Sequence, residues 1–405
     1  MALTALDFLQ ASKKSEITCL QQLLQMGKLV GAVSQLIHML QRERGTANIY
    51  LCSQGETWAD RLNDHCLQVQ TAEQAVDQHL QALNMTELSL SNPSRLYSRI
   101  AAVLHSLSTL PLLRQNIQRQ RVTQPQAMRQ YCEVISTLLA LVYETADASG
   151  DPSISRALLA LFSFIQGKEL AGQERALAAA GFTAGQFDSA MHQQLIALID
   201  GQERCFQTFS QFADTRSLAL WQQQLSRDSS EFERFRRIAC TQTTPNTQSL
   251  DAALRWFELT TLRIDGMKQL EDELESVLMA CCRQRLQDAQ TAYEQQNQEI
   301  VQIPLADHHY ASHLSPQLNL SILELVEQQA RQLQAQDTEL AVLRATLAER
   351  KLLERAKGLL IDHHGMTEQQ AHKTLRDMAM KQNKKIVEIT EAMFAVADIL
   401  AKRGA

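Results

Sequence analysis

Glycine and proline are scarce, 14 and 7 in 405 residues. With so few glycines, a backbone cradle for phosphates is not expected, and little interrupts helices. Aromatic residues are only 5% of the chain. The eight cysteines are scattered at 19, 52, 66, 132, 205, 240, 281 and 282, with no Cys-x-x-Cys pair. That spacing excludes a zinc or disulfide framework and predicts reduced, buried thiols. The longest apolar run, Ala157 to Ile165, is about half of what a bilayer span needs. The segment Met1 to Gln10 has no charged region leading into a long apolar stretch. A cytoplasmic protein with no membrane partner is expected. His-Glu-x-x-His, Gly-x-Ser-x-Gly, phosphate-loop and dinucleotide signatures are all missing, so no enzyme, metal or cofactor is expected.

What is abundant is Leu, Ala, Gln, Glu and Arg, side chains that lose little rotamer freedom in a helix. The fold is therefore expected to be all-α. From Glu16 to Gln298 the pattern predicts roughly eight amphipathic helices. Breaks are expected at Ser91-Asn92-Pro93, Ser149-Gly150-Asp151-Pro152, Gly181-Phe182-Thr183 and Thr243-Thr244-Pro245-Asn246. Two packed four-helix bundles sharing long helices would accommodate them, giving an N-terminal domain over 1–302. Residues 303–320 lose periodicity and predict a linker, where His308, His309 and His313 lack metal-ligand spacing. Over 321–347, Val326, Leu333, Leu340 and Leu347 fall at heptad spacing, with Ile322, Gln329, Gln336 and Leu343 on the complementary seam. This predicts a coiled-coil helix, weakened by its glutamines, and a homodimer. Residues 348–405 predict three helices. The first ends at His363-His364-Gly365, the second opens on the capping box Thr367-Glu368-Gln369-Gln370, and the third begins at Lys384-Lys385 after Asn383.

Charge divides the chain unevenly. Residues 344–405 carry 12 Lys/Arg against 8 Asp/Glu, and residues 1–343 carry 27 against 37, within a net charge of −6. A small basic module tethered to a large acidic one suggests a polyanion-binding output under upstream control.

The upstream region also places arginines where leucines are expected. At 100° per residue, Val33, Leu36, Ile37, Leu40, Ala47 and Leu51 form one stripe, and Arg44 lies about 20° from Val33 within it. Arg42 points to the opposite face. Arg236 falls on the stripe of Leu225, Phe232 and Ala239, and Arg263 on that of Trp256, Thr260, Met267, Leu270 and Leu274. Glu174 shares the face of Leu170, Leu177 and Gly181, with Arg175 on its flank. A guanidinium is costly to bury unpaired. Either each inward arginine meets a structural carboxylate or reaches out from the stripe's edge, or several converge on an exogenous anion through charge-assisted hydrogen bonds.

Two resemblances meet these residues. Ala348 to about Leu400 closely resembles the ANTAR domain. The matching residues are Arg350, Leu353, Glu354-Arg355-Ala356-Lys357-Gly358-Leu359-Leu360, Gly365-Met366-Thr367-Glu368, Ala371, Leu375-Arg376, Met378-Ala379-Met380 and Asn383. Residues about 25–285 resemble the NIT domain at Leu40-Gln41-Arg42-Glu43-Arg44-Gly45, Glu174-Arg175-Ala176-Leu177, Trp256-Phe257 and Arg263-Ile264-Asp265. Together they resemble nitrate- and nitrite-responsive antitermination regulators of nitrate assimilation operons.

The resemblance implies leader-mRNA hairpins as partner, nitrate or nitrite as signal ligand, and an indirect effect on the RNA polymerase elongation complex. It also turns the arginines toward an anion pocket, with Arg44 and Arg236 as direct ligands, Arg263, Arg175 and Arg42 as further candidates, and Glu174 or Glu43 balancing charge. Arg350, Arg355, Lys357, Arg376, Lys384 and Lys385 would form the RNA face, with Ala356 and Gly358 permitting close approach. The competing expectation is a sensor whose tail binds a protein or DNA.

Overall fold

The computed structural model describes residues 5–83, 93–147, 151–227, 229–241, 250–301, 340–341, 353, 356, 360, 368–382, 388–390 and 393–394. Every regular element among them is helical. Three long helices form the frame: α1 (Ala5–Cys52), α6 (Pro152–Ala184) and α10 (Leu250–Val301) all pack on one another. α2 (Ala59–Gln81) lies along α1. α5 (Gln124–Asp147) packs on α1, α6 and α3 (Pro93–Leu107), and the short α4 (Leu110–Gln118) precedes it. α7 (Ser189–Phe212) returns along α6, and α8 (Thr215–Leu225) and α9 (Ser230–Thr241) close onto α10. In the C-terminal region α11 (Glu368–Gln382) lies against α7.

α6 explains why the sequence pattern was partly opaque. It buries 23 of its 33 residues, on every side, which is what a helix surrounded by others does. Its start is strongly specified. Asp151 accepts from the Ser153 and Ile154 amides at 2.9 and 3.1 Å, Pro152 sits in the first turn, and Arg285 of α10 pins Asp151 at 2.7 Å. Its end departs from expectation. The helix runs through Gly181-Phe182-Thr183 and stops at Gly185, whose φ of 68° is the left-handed conformation glycine adopts without strain. Gly181 instead lets the Phe187 ring sit close: an added Cβ would lie 2.2 Å from it.

In place of the expected eight helices, the described residues of 5–301 form ten, because Leu110-Pro111 and the Asp214 cap each open a short helix. A second correction concerns the Leu225 stripe. The chain breaks after Leu225, which is 57% exposed, so Arg236 shares a face only with Phe232 and Ala239. The 321–347 coiled coil and the 303–320 linker with its histidines lie outside the described residues, apart from Leu340, which is buried, and Ala341.

α1 contains an 18-residue window of mean hydropathy 1.2, apolar and long enough to cross a membrane, yet 61% of it is buried against neighbouring helices. Two apolar cores result. One fills the frame of α1–α8 and α10. A smaller, aromatic one gathers Ile49, Phe182, Phe187, Phe232, Phe235, Trp256 and Phe257. Between them runs a polar seam along α6. A third core joins Ala356, Leu360, Ala371, Leu375, Ala379 and Ile389 in the tail.

Candidate functional site

The seam begins where α1 crosses α6. Arg44 is 1% exposed, and its terminal nitrogens straddle the Glu169 carboxylate, Nη1 on Oε1 and Nη2 on Oε2, the latter at 3.0 Å. Gln41 and Gln173 donate to the same carboxylate at 2.9 and 2.8 Å, and Nη1 also meets Cys132 Sγ at 3.1 Å. Burial alone would lower the Arg44 pKa, but Glu169 outweighs it and holds it above the usual range. Gly172 makes the approach possible, since a Cβ there would lie 2.7 Å from Nη2.

Arg175, on the same stretch of α6, is equally buried but has no carboxylate partner among the described residues. Nη1 donates to Thr261 Oγ1 and Nη2 to the Gln41 carbonyl, both at 2.9 Å. The guanidinium lies over the Phe257 ring at 4.5 Å, and Trp58 meets Phe257 edge-on at 5.0 Å. A Cβ at Gly45 would come within 2.6 Å of Nη2. Burial first, and then the charge of Arg44, push the Arg175 pKa down to about 9. Among the described residues, Nε of both arginines and Oε1 of Gln41 are buried without a hydrogen-bond partner. Glu169 thus answers Arg44, while Arg175 is buried with no ion pair among the described residues, and the nearby charges of Asp265 and Glu169 only partly offset its burial.

On the far flank of α6, Arg236 grips Glu174 with Nε at 2.7 Å and Nη2 at 2.9 Å. Gln202 donates to Glu174 at 2.6 Å, and its oxygen receives Arg263 at 3.2 Å. Both cations lie near 5 Å from the Phe232 ring centre, at 5.1 and 5.0 Å. Arg44 and Arg175 therefore belong to one cluster, and Arg236 and Arg263 to another. Arg44 and Arg236 are not brought together. Each holds its own glutamate on a different side of α6. Arg42, half-buried, donates to Gln68 at 3.2 Å. Glu43 is occupied elsewhere, by Arg114 at 2.9 and 2.8 Å and the Tyr131 hydroxyl at 2.6 Å.

Sequence reasoning missed Glu169 and Gln202. α6 has no polar face against which an inward carboxylate stands out, and α7 presents Gln202 as one glutamine among many. The signal that was available is Lys168-Glu169, two charges inside an otherwise apolar stretch. Lys168 meets Glu271 of α10 at 2.5 Å, with both side chains fully buried.

In the tail, Arg376 is exposed on α11, while Ala356 is fully buried in the third core. Arg350, Arg355, Lys357, Gly358, Lys384 and Lys385 lie outside the described residues.

The family model for nitrate and nitrite sensing, NIT, matches residues 35–279, and the ANTAR domain matches residues 341–393. The nitrate regulatory protein of Klebsiella oxytoca is 37% identical over 390 residues, 96% of this chain and 94% of its own. The transcriptional regulatory protein PdtaR of Mycobacterium tuberculosis is 39% identical over 71 residues, 18% of this chain and 35% of its own. The solved structure of the NasR transcription antiterminator superposes with a TM-score of 0.62 at 36% identity, covering 97% of this chain and 99% of that one. The chain belongs to the NIT family, as a nitrate- and nitrite-sensing transcription antiterminator of the NasR type with an ANTAR RNA-binding domain, and is a regulator rather than an enzyme.

Proposed function

We propose that nitrate or nitrite binds between α1 and α6 at Arg44 and Arg175, and that binding makes the ANTAR tail available to paired hairpins of a leader mRNA. The observation that carries this is Arg175: a fully buried guanidinium with an unsatisfied Nε and a lowered pKa, beside a second orphaned Nε on Arg44. Nitrate is planar, monovalent and weakly hydrated, so it suits two guanidinium forks in a dry seam. A monoanion answers the one guanidinium of the pair, Arg175, that has no ion pair among the described residues. Gly45 and Gly172 leave the guanidiniums room to turn toward it. Arg236, Arg263 and Arg42 lie outside this pocket: Arg236 holds Glu174 on another side of α6, Arg263 bonds Gln202 beside it, and Arg42 donates to Gln68.

The rest of the reading follows from the two modules. A sensor over 1–302, built as two packed four-helix bundles, connects through a 303–320 linker and a 321–347 coiled-coil helix to an ANTAR domain at 348–405. The coil makes a homodimer in the cytoplasm. Arg350, Arg355, Lys357, Arg376, Lys384 and Lys385 contact hairpin phosphates and bases, with Gly358 allowing close approach. The bound hairpins keep the terminator from forming, which acts indirectly on the elongating RNA polymerase. Without the anion the acidic sensor holds the basic tail, and the position of α11 against α7 supports this.

Isothermal titration of nitrate and nitrite into the wild type, Arg175→Gln and Arg236→Gln tests the pocket. Arg175→Gln is expected to abolish binding, and Arg236→Gln to weaken it only a few-fold. Unchanged affinity in Arg175→Gln would sink the pocket, and equal loss in both variants would place the anion across α6. Gel shifts with leader hairpins, with and without nitrate, test the output. Equal competition by duplex DNA would redirect the tail to another target.

A further inference from the structure

A groove runs between α7, α8, α9 and α10, outside the Arg44–Arg175 seam. It consists of two adjoining cavities of about 470 and 590 Å³ that share Trp221, Leu225 and Arg263. Each lies within the roughly 300–1,000 Å³ of small-molecule pockets, and either is many times larger than a four-atom oxyanion needs. The walls are mixed, with Gln224, Ser229, Gln207 and Gln211 on one part and a continuous apolar strip on the other. Phe232 and Trp221 are buried along them, and Leu225 and Leu262 stand 57% and 69% exposed at the rim.

The floor is cationic and incompletely neutralised. Both oxygens of Glu174 are held by Arg236, and Gln202 donates to one of them. That leaves Arg263 with a single hydrogen bond, to Gln202 Oε1, and the face of Phe232. Burial pushes its pKa down to about 10, against the pull of Glu174. The mouth carries Glu203, Glu231 and Glu233. Glu231 is paired with Arg255 at 2.6 Å, and Glu233 lies 3.7 Å from Arg236.

We propose that this groove binds an organic monocarboxylate with a compact apolar body, its carboxylate on Arg263 and its body against Trp221, Phe232 and Leu225. One head group suffices at the floor, where the Arg263 guanidinium has no ion pair among the described residues. The apolar strip of Trp221, Leu225, Phe232 and Leu262 favours a body that removes hydrocarbon surface from water, and the acidic rim disfavours a second negative charge. The site is distinct from the nitrate seam, which is dry and lacks an apolar chamber.

The test is titration of the full-length protein with benzoate, followed by calorimetry and by tryptophan fluorescence, to which Trp221 contributes. Benzoate is expected to bind saturably and acetate at least about tenfold more weakly. Arg263→Gln is expected to weaken benzoate by about tenfold or more while leaving nitrate affinity within about twofold, and Arg175→Gln to do the reverse. Leu225→Asp changes an exposed rim residue, so it reads the apolar wall even if Arg263→Gln fails to fold, and it too should weaken benzoate. Absence of saturable benzoate binding, equal binding of acetate, unchanged benzoate affinity in both groove variants, or simple competition between nitrate and benzoate would each overturn the proposal. Nitrate titrated alone into the same protein separates this outcome from failure of the nitrate reading.

Discussion

At the scale of single residues, Arg44 and Arg175 are opposite cases of a buried guanidinium. Arg44→Ala strands the Glu169 carboxylate among two glutamines and apolar neighbours. Removing one member of a buried pair costs about 3–5 kcal/mol, whereas removing both is often near neutral. Denaturant unfolding of Arg44→Ala is therefore expected to show that loss, and Arg44→Ala with Glu169→Leu to recover most of it. No recovery would mean that Glu169 is not held chiefly by Arg44. Helical angles alone made the inward direction of Arg44 legible, because a long regular helix keeps phase. They could not find Glu169, since that requires knowing which helix α1 crosses and at what height. Glu275, on α10, gives the pH case. It faces Lys268, Glu271 and Asp272 on its own helix, Ser34 and Gly31 on α1 and the neighbouring Lys168 on α6, and burial raises its pKa from the ordinary 4.5 to about 7. The folded state therefore takes up this proton before the unfolded chain does. Its contribution to stability rises as pH falls from about 7 to 4.5, and the cost of the charged form is full above 7. Glu275→Gln is expected to be more stable than wild type at pH 8, by on the order of 2–3 kcal/mol, with the difference vanishing near pH 4.5. Thermal unfolding across that range measures it, and a constant difference would count against the assignment.

At the scale of elements, α6 organises the sensor because its carboxylates and lysine are distributed toward different neighbours. Lys168 faces α10 at Glu271, Glu169 faces α1 at Arg44, and Glu174 faces α9 at Arg236. A shift of α6 along its axis would strain all three pairs together. Asp151 sets that axial position from the N-terminal end, as a cap and as the partner of Arg285. Asp151→Ala loses both roles and is expected to cost about 1–2 kcal/mol. Asp151→Asn keeps an amide oxygen for the cap and is expected to lose less than half of that. Equal losses in denaturant melts would show the ion pair, not the cap, to be the important contact. The break before Pro152 was legible because Asp-Pro is a chemical start signal that works through local geometry. The break expected at Gly181 was not real, since that glycine answers to packing against Phe187 rather than to backbone conformation, and only tertiary structure separates the two uses. The break after Leu225 was missed for the converse reason: Ser226 to Ser229 contain neither glycine nor proline.

At the scale of the whole molecule, the acidic sensor and basic tail were legible from charge counts, and α11 against α7 gives that complementarity a place to act. Complementarity by itself does not make the output conditional. A ligand shifts an equilibrium only through different affinity for the two states. If nitrate binds more tightly to the form whose tail is free, RNA must bind more tightly to the form that holds nitrate, and by the same factor. Calorimetric nitrate titrations with and without saturating leader hairpin, paired with RNA titrations with and without saturating nitrate, measure both sides of that cycle. The two enhancement factors are expected to agree, at about 5–150-fold for a typical coupling. The proposed pairing of chains through the coil has its own signature: if release of the tail and pairing are one event, the common factor grows as protein is diluted below the dissociation constant of that pairing. If the factor is the same at every protein concentration, the anion unmasks a tail within a dimer already formed. A nitrate affinity that saturating RNA leaves unchanged would mean that the sensor and the tail do not share an equilibrium, and the contact between α7 and α11 would then have no part in signalling.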